Sequence, residues 1–166
     1  RVLYIGGDSV VIGLDQTAIV LSKFDSTGML LWKKAGICSN NGSTVAPEAQ
    51  SVKVSASGKV YFTFSFKDTI TFGSTVLLQN SATPANKSNI ILMELDAANG
   101  NINWSKKIYT EYGGSGQSND EYTAAIDLNN NGEIVFLLAT DSLTFRTYSN
   151  TGDLLKSKSH YVNPAY

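Results

Sequence analysis

Histidine and cysteine each occur once in this chain of 166 residues, at His160 and Cys38. A lone cysteine makes no internal disulfide, and one thiol with one imidazole is too small a set for a zinc site. Nucleophilic catalysis would have to rest on His160, which is read here as a solvated histidine in the polar tail Ser157-Lys158-Ser159-His160-Tyr161, beyond the last strand. Charge is also scarce. Only 16% of residues are charged, and 13 Lys+Arg against 14 Asp+Glu leave a net charge of −1. That balance argues against a nucleic-acid-binding face or a polybasic membrane surface. No apolar run approaches the roughly 18 residues of a membrane helix. The opening Arg1-Val2-Leu3-Tyr4-Ile5 has neither an initiator Met nor a signal-peptide core, so a processed product or a piece of something longer is expected. What is present, 42% hydrophobic and 10% aromatic residues, suffices for one domain with its own core and argues against disorder.

The strongest positive signal is an internal repeat. Lys23-Phe24-Asp25-Ser26-Thr27-Gly28-Met29-Leu30-Leu31-Trp32-Lys33-Lys34 is echoed by Glu94-Leu95-Asp96 through Gly100 to Trp104-Ser105-Lys106, and again by Thr147-Tyr148-Ser149-Asn150-Thr151-Gly152-Asp153-Leu154-Leu155-Lys156 without its Trp. A second unit closes on Gly58 and recurs around Gly132. Each unit reads as a hairpin: strand residues, a polar turn ending on Gly, and a second apolar strand. The spacings from Asp25 to Asp96 and from Asp96 to Ser149 are long for one hairpin and suit a four-stranded unit with insertions.

Helix is nearly excluded. Phe62, Phe64 and Phe66 alternate onto one face, the run 89–95 is short and apolar, and turn residues interrupt every run. Strands are expected at 2–5, 18–24, 29–34, 50–54, 59–66, 69–78, 89–95, 101–108, 123–128, 133–139, 142–148 and 153–159. Grouped by fours within one segment, 1–166, they give a partial unit over 1–34 and full units over 50–108 and 123–159. The expected fold is all-β, with nearly three four-stranded antiparallel blades of a β-propeller and an incomplete ring.

The stretch Tyr112-Gly113-Gly114-Ser115-Gly116-Gln117-Ser118-Asn119-Asp120-Glu121-Tyr122, running into 124–135, resembles the SBBP-type β-propeller repeats, as do 65–73 and the hairpin 23–32. The resemblance implies a secreted or cell-surface structural module with no shared catalytic residues. The Asp-x-x-Thr-Gly-x-x-x-Trp pattern of quinoprotein repeats is the second choice. It matches Asp25, Thr27, Gly28 and Trp32 and partly Asp96, Gly100 and Trp104, and implies a periplasmic cofactor-binding propeller or a scaffold. Gly6-Gly7 is kelch-like but unrepeated, and the WD40 pairs and the sialidase Asp box are absent.

Site candidates are weighed against turns and packing. Trp32 and Trp104 recur at one repeat position, which indicates packing between units rather than a sugar platform. Asp127, Asn129 and Asn131 match the first half of a calcium loop, Asp-x-Asn-x-Asn-Gly. Its ninth and twelfth positions are Val135 and Leu138, so the closing carboxylate is missing and an Asn-rich turn is preferred. No cofactor is expected beyond that calcium candidate. Among Glu48, Glu94, Glu111, Glu121 and Glu133 no spacing selects a catalytic pair. The Lys33-Lys34 and Lys106-Lys107 doublets end equivalent strands, where lysines discourage edge-to-edge aggregation. Asn41, Asn86 and Asn103 open glycosylation sequons. Cys38 falls in a stretch of loop composition, where bridging to another chain and a free or buried thiol are both open. The expectation is a non-enzymatic extracellular or cell-surface module, without catalytic residues. It would present loops 36–48, 79–88 and 110–121 to a partner, or assemble with further blades or copies of itself. A lectin-like propeller using Tyr112 or Tyr122 is a further alternative.

Overall fold

The computed structural model describes residues 1–39, 46–66, 69–73, 75–79, 89–110, 123–139 and 142–161. A short ribbon pairs β1 (Val2–Ile5) with β2 (Asp8–Val11). Its turn is Gly6-Gly7, both at positive φ (56° and 82°), as a two-residue hairpin of the primed type requires. The first four-stranded sheet has the order β3 (Gln16–Phe24), β4 (Leu30–Ser39), β7 (Thr69–Phe72), β8 (Thr75–Gln79). The middle sheet is β5 (Glu48–Val54), β6 (Lys59–Phe66), β9 (Asn89–Asp96), β10 (Ile102–Thr110). The last sheet is β11 (Thr123–Leu128), β12 (Ile134–Ala139), β13 (Ser142–Tyr148), β14 (Leu154–Tyr161). All pairings are antiparallel. The all-β architecture expected from the sequence is what the chain adopts.

Strand alternation explains the stacking. Along β6, Val60, Phe62, Phe64 and Phe66 join Ile91, Met93 and Leu95 of β9 against Ile19, Cys38, Ile70 and Phe72 of the first sheet. The alternate residues Tyr61, Ile90 and Leu92 face Ile126, Ile134, Phe136, Leu138 and Tyr148 of the last sheet. The middle sheet is thus largely apolar on both faces, which is why Ile90-Ile91-Leu92-Met93 of β9 read as a continuous apolar stretch rather than an alternating one.

Two expectations are corrected. The stretch 69–78, read as one strand, is two: Gly73 at positive φ turns the chain, and β7 pairs not with its sequence neighbour β6 but with β4 of the preceding sheet. Cys38, read as a loop residue, lies on β4 and is buried in the first core, so its thiol faces apolar neighbours and is not presented to another chain. Its strand alternation outweighs the turn composition of the residues that follow it.

Gly36 makes the crossover of β7 possible. A Cβ built there would lie 2.8 Å from Cδ1 of Ile70 and closer still to the ring of Phe72. Gly36→Ala is therefore expected to destabilise the fold by about 2 kcal/mol or more, since both neighbours are buried and overfilled cores relax poorly. Urea unfolding checks this, and an unchanged midpoint would show that the Phe72 ring yields at no cost.

Candidate interaction surface

Successive sheets are joined by one repeated contact. On β4 the indole of Trp32 lies against the β9–β10 turn, 2.8 Å from where a Cβ on Gly100 would stand, and its Nε1 donates to the Ala97 carbonyl at 3.0 Å. Lys23 donates to the same carbonyl at 2.7 Å, and Lys34 reaches Oδ1 of Asn101 at 3.5 Å. One sheet further on, Trp104 of β10 covers Gly152 in the β13–β14 turn, at 2.9 Å by the same measure, and donates to the Asn150 carbonyl at 3.3 Å. Lys106 pairs with Asp153 at 2.7 Å. The rule is compact. The aromatic four residues after one turn glycine packs on the glycine of the next turn, and the lysine two residues later engages the residue that follows that glycine.

The second joint carries an extra element. Glu94, on β9 and buried, accepts from Asn103 Nδ2 at 2.9 Å, from Lys59 Nζ at 3.2 Å and from Trp104 Nε1 at 3.1 Å. The hydroxyl of Tyr61 hydrogen-bonds to it as well, and burial first, then the adjacent carboxylate, push this phenol up to about 12. Four donors satisfy this buried carboxyl group, which holds the indole of Trp104.

The remaining candidates sort by place. Asp25 holds its own turn, its Oδ1 accepting from the Thr27 and Met29 amides and the Thr27 hydroxyl; the hydroxyl bond first, then the Met29 amide, hold the carboxyl below its usual range. Asp96 and Asn129 cap their turns in the same manner. Gly58 accepts from the Ala97 amide through its carbonyl, tying two turns together at one end of the middle sheet, and Gly132 closes the turn after Asn129. The calcium candidates do not converge. Asp127 pairs with Lys53 at 3.0 Å, Asn129 is spent on the amides of Asn131 and Glu133, and Asn131 contributes its backbone amide. Among the described residues no group of three His, Cys, Asp or Glu is arranged to hold a metal. His160 is not in a tail but on β14, exposed. Of the sequons, Asn103 has its amide on Glu94, while Asn41 and Asn86 lie outside the described residues. So do Tyr112, Tyr122 and most of the expected loops; residues 36–39 belong to β4.

The two end faces of the stack differ. Over the outer face of the first sheet stands the β1–β2 ribbon, held where Lys33 pairs with Asp8 at 2.8 Å and donates to the Ser9 carbonyl. Between ribbon and sheet runs a cleft of about 670 Å³ lined by Val10, Gln16, Lys33, Ala35, Ile37 and Thr71. The outer face of the last sheet carries no such cover among the described residues. There the register sets Leu137 opposite Phe145 and Phe145 opposite Lys158, with Leu143 opposite His160 and Thr147 opposite Lys156. Phe145 is 46% exposed.

The glycines separate turn geometry from joint packing. Gly28 and Gly100 both take positive φ (86° and 68°), but only Gly100 has a neighbour in the way, Gly28 having nothing within 4 Å. Alanine at 28 is expected to cost about 1 kcal/mol for the backbone alone, and alanine at 100 about 2–3 kcal/mol because Trp32 must also move. Equal losses in denaturant would mean that the indole contributes nothing to the joint.

These features define an all-β chain of antiparallel sheets stacked through a common Trp-on-glycine contact. No protein-family model matches the sequence, and no curated protein matches it either. Among solved structures, the chain is similar to a Bacteroides caccae protein of unknown function, at 15% identity and a TM-score of 0.29 over 84% of this chain. The match spans 57% of that protein's length.

Proposed function

We propose that the chain is a non-enzymatic structural and interaction module, a segment of a β-propeller of the secreted or cell-surface kind, whose stack is continued by further four-stranded sheets. The observation that carries this is the repeated joint: Trp32 on Gly100 and Trp104 on Gly152 link consecutive sheets by one geometry. An architecture that grows by a fixed step can accept another unit at an end without a cover, and among the described residues the last sheet is such an end. Two features of the ends support continuation. Gly28 presents a turn surface with open space where Gly100 and Gly152 each meet an indole. The last sheet exposes Phe145 and Leu143 on a face whose counterpart in the middle sheet is buried. The chemistry present supports binding rather than turnover, because the buried carboxylate is saturated by donors and the lone imidazole stands on an exposed edge strand.

The test is the mass of the native product, measured intact under denaturing conditions and again in its native assembly. The expected result is a polypeptide, or an assembly, well above the 17.9 kDa of this chain. A native product that is a 17.9 kDa monomer, with no retained partner, would overturn the reading.

A further inference from the structure

Resting on that reading, we infer that the outer face of the last sheet binds a second copy of this chain, receiving its β3–β4 turn, Asp25 to Met29, head to tail. Such a contact continues the two joints already formed. In each, the outer hairpin strand of one sheet covers the turn glycine of the next, and a side chain on that strand donates to a carbonyl two or three residues before the glycine. Applied once more, the rule places Lys156, four residues after Gly152, over the next turn, with Lys158 beside it. Of the three turns of this kind, at Gly28, Gly100 and Gly152, only that of Gly28 has open space above its glycine. The corresponding acceptor is the Ser26 carbonyl.

Lysine in place of tryptophan keeps both functions of the joint. Its methylene stem covers the glycine, and its ammonium donates to the carbonyl. The same pairing already occurs in the chain, where Lys23 donates to Ala97 at 2.7 Å. The charges of the two ends are complementary: Lys156 and Lys158 line the edge of the accepting face, and Asp25 sits in the incoming turn. Apolar surface matches as well. Phe145 and Leu143 on one side meet a first-sheet end that exposes Leu31, Met29 and, on the ribbon, Tyr4. A contact between two different faces of one chain is heterologous and either closes or runs on into a filament. Two copies, each with three four-stranded sheets among the described residues, supply six, within the range of about four to eight units in which closed rings of such sheets occur.

The experiment uses the full chain, with light scattering during size exclusion and a cysteine pair, Ser26→Cys with Lys156→Cys, oxidised at low concentration. The expected result is a mass twice 17.9 kDa and a disulfide-linked dimer in the double variant that neither single variant gives. Phe145→Asp and, as a surface change that leaves the core untouched, Lys158→Glu are each expected to weaken the dimer at least about tenfold. A monomer at all concentrations overturns the second-copy inference, whereas the module reading stands or falls separately on the native mass. A dimer that forms no such cross-link and ignores both surface variants places the contact elsewhere, and overturns this joint too.

Discussion

Replacing Glu94 by alanine is expected to cost about 2–3 kcal/mol, because it strips one buried acceptor from four donors at once. Lys59 and Asn103 are open to solvent and recover part of their loss, and the Trp104 indole keeps the Asn150 carbonyl, so the buried Tyr61 hydroxyl is the donor with least recourse. Glu94→Gln keeps an acceptor oxygen and is expected to fall between the two. Urea unfolding of the three proteins gives the ranking, and a Glu94→Ala protein as stable as the parent would mean that the network is ornamental. The same group sets a limit at high pH. With its pKa raised from the ordinary 10.0 to about 12, the Tyr61 phenol favours folding fully below pH 10, and that contribution is lost as the pH rises towards 12. Tyr61→Phe should therefore flatten the alkaline stability curve, and Glu94→Ala should bring the phenol back towards its ordinary value. At the acid end, lysine partners hold Asp8, Asp127 and Asp153 below the usual carboxylate range, so their support is lost only as the pH falls beneath it.

Phe64→Ala is expected to be at least as damaging, at about 3–5 kcal/mol, by deletion of a fully buried ring and the void it leaves. Phe64 stands at the centre of an aromatic cluster, its ring 5.2 Å from Phe62, 6.0 Å from Phe66 and 5.6 Å from Phe72. The last of these contacts crosses from the middle to the first sheet. For a domain of this size, whose total stability is of the order of 5–15 kcal/mol, such a loss moves the urea midpoint by about 2 M. A shift below about 0.5 M would mean that the neighbouring rings collapse into the space.

Much of this is legible in the residues, and what is not shares a cause. The period-two pattern of β6 and the Gly-closed turns at 28, 58, 100, 132 and 152 are local signals, and each is realised in the structure. Trp32 and Trp104, which share a repeat position, lie against Gly100 and Gly152 of the next turns. Strand partnership is not local. Nothing within residues 69–79 states that β7 leaves β6 for β4, and the pointer to it, Gly36 lying flat under Phe72 and Ile70, sits far upstream in the chain. Strand β2 gives little sign of itself because Asp8-Ser9-Val10-Val11 is short and polar at its start. Weighing Glu94 only as one of five glutamates without a pairing overlooks that a single charge inside the run Ile90-Ile91-Leu92-Met93-Glu94-Leu95 is itself a signal, since a strand buried on both faces retains a carboxylate only where donors meet it.

The excursion of β7 and β8 also bears on how the chain comes apart. In a simple repeat array each unit touches only its neighbours and can fray from an end. Here the segment between β6 and β9 is laced into the sheet before it, so the middle sheet cannot be assembled without its chain passing through the first. Those two sheets are expected to unfold together, as one block. The last sheet, contiguous in sequence from β11 to β14, has no such lacing, and its exposed outer strand is where sub-global opening begins.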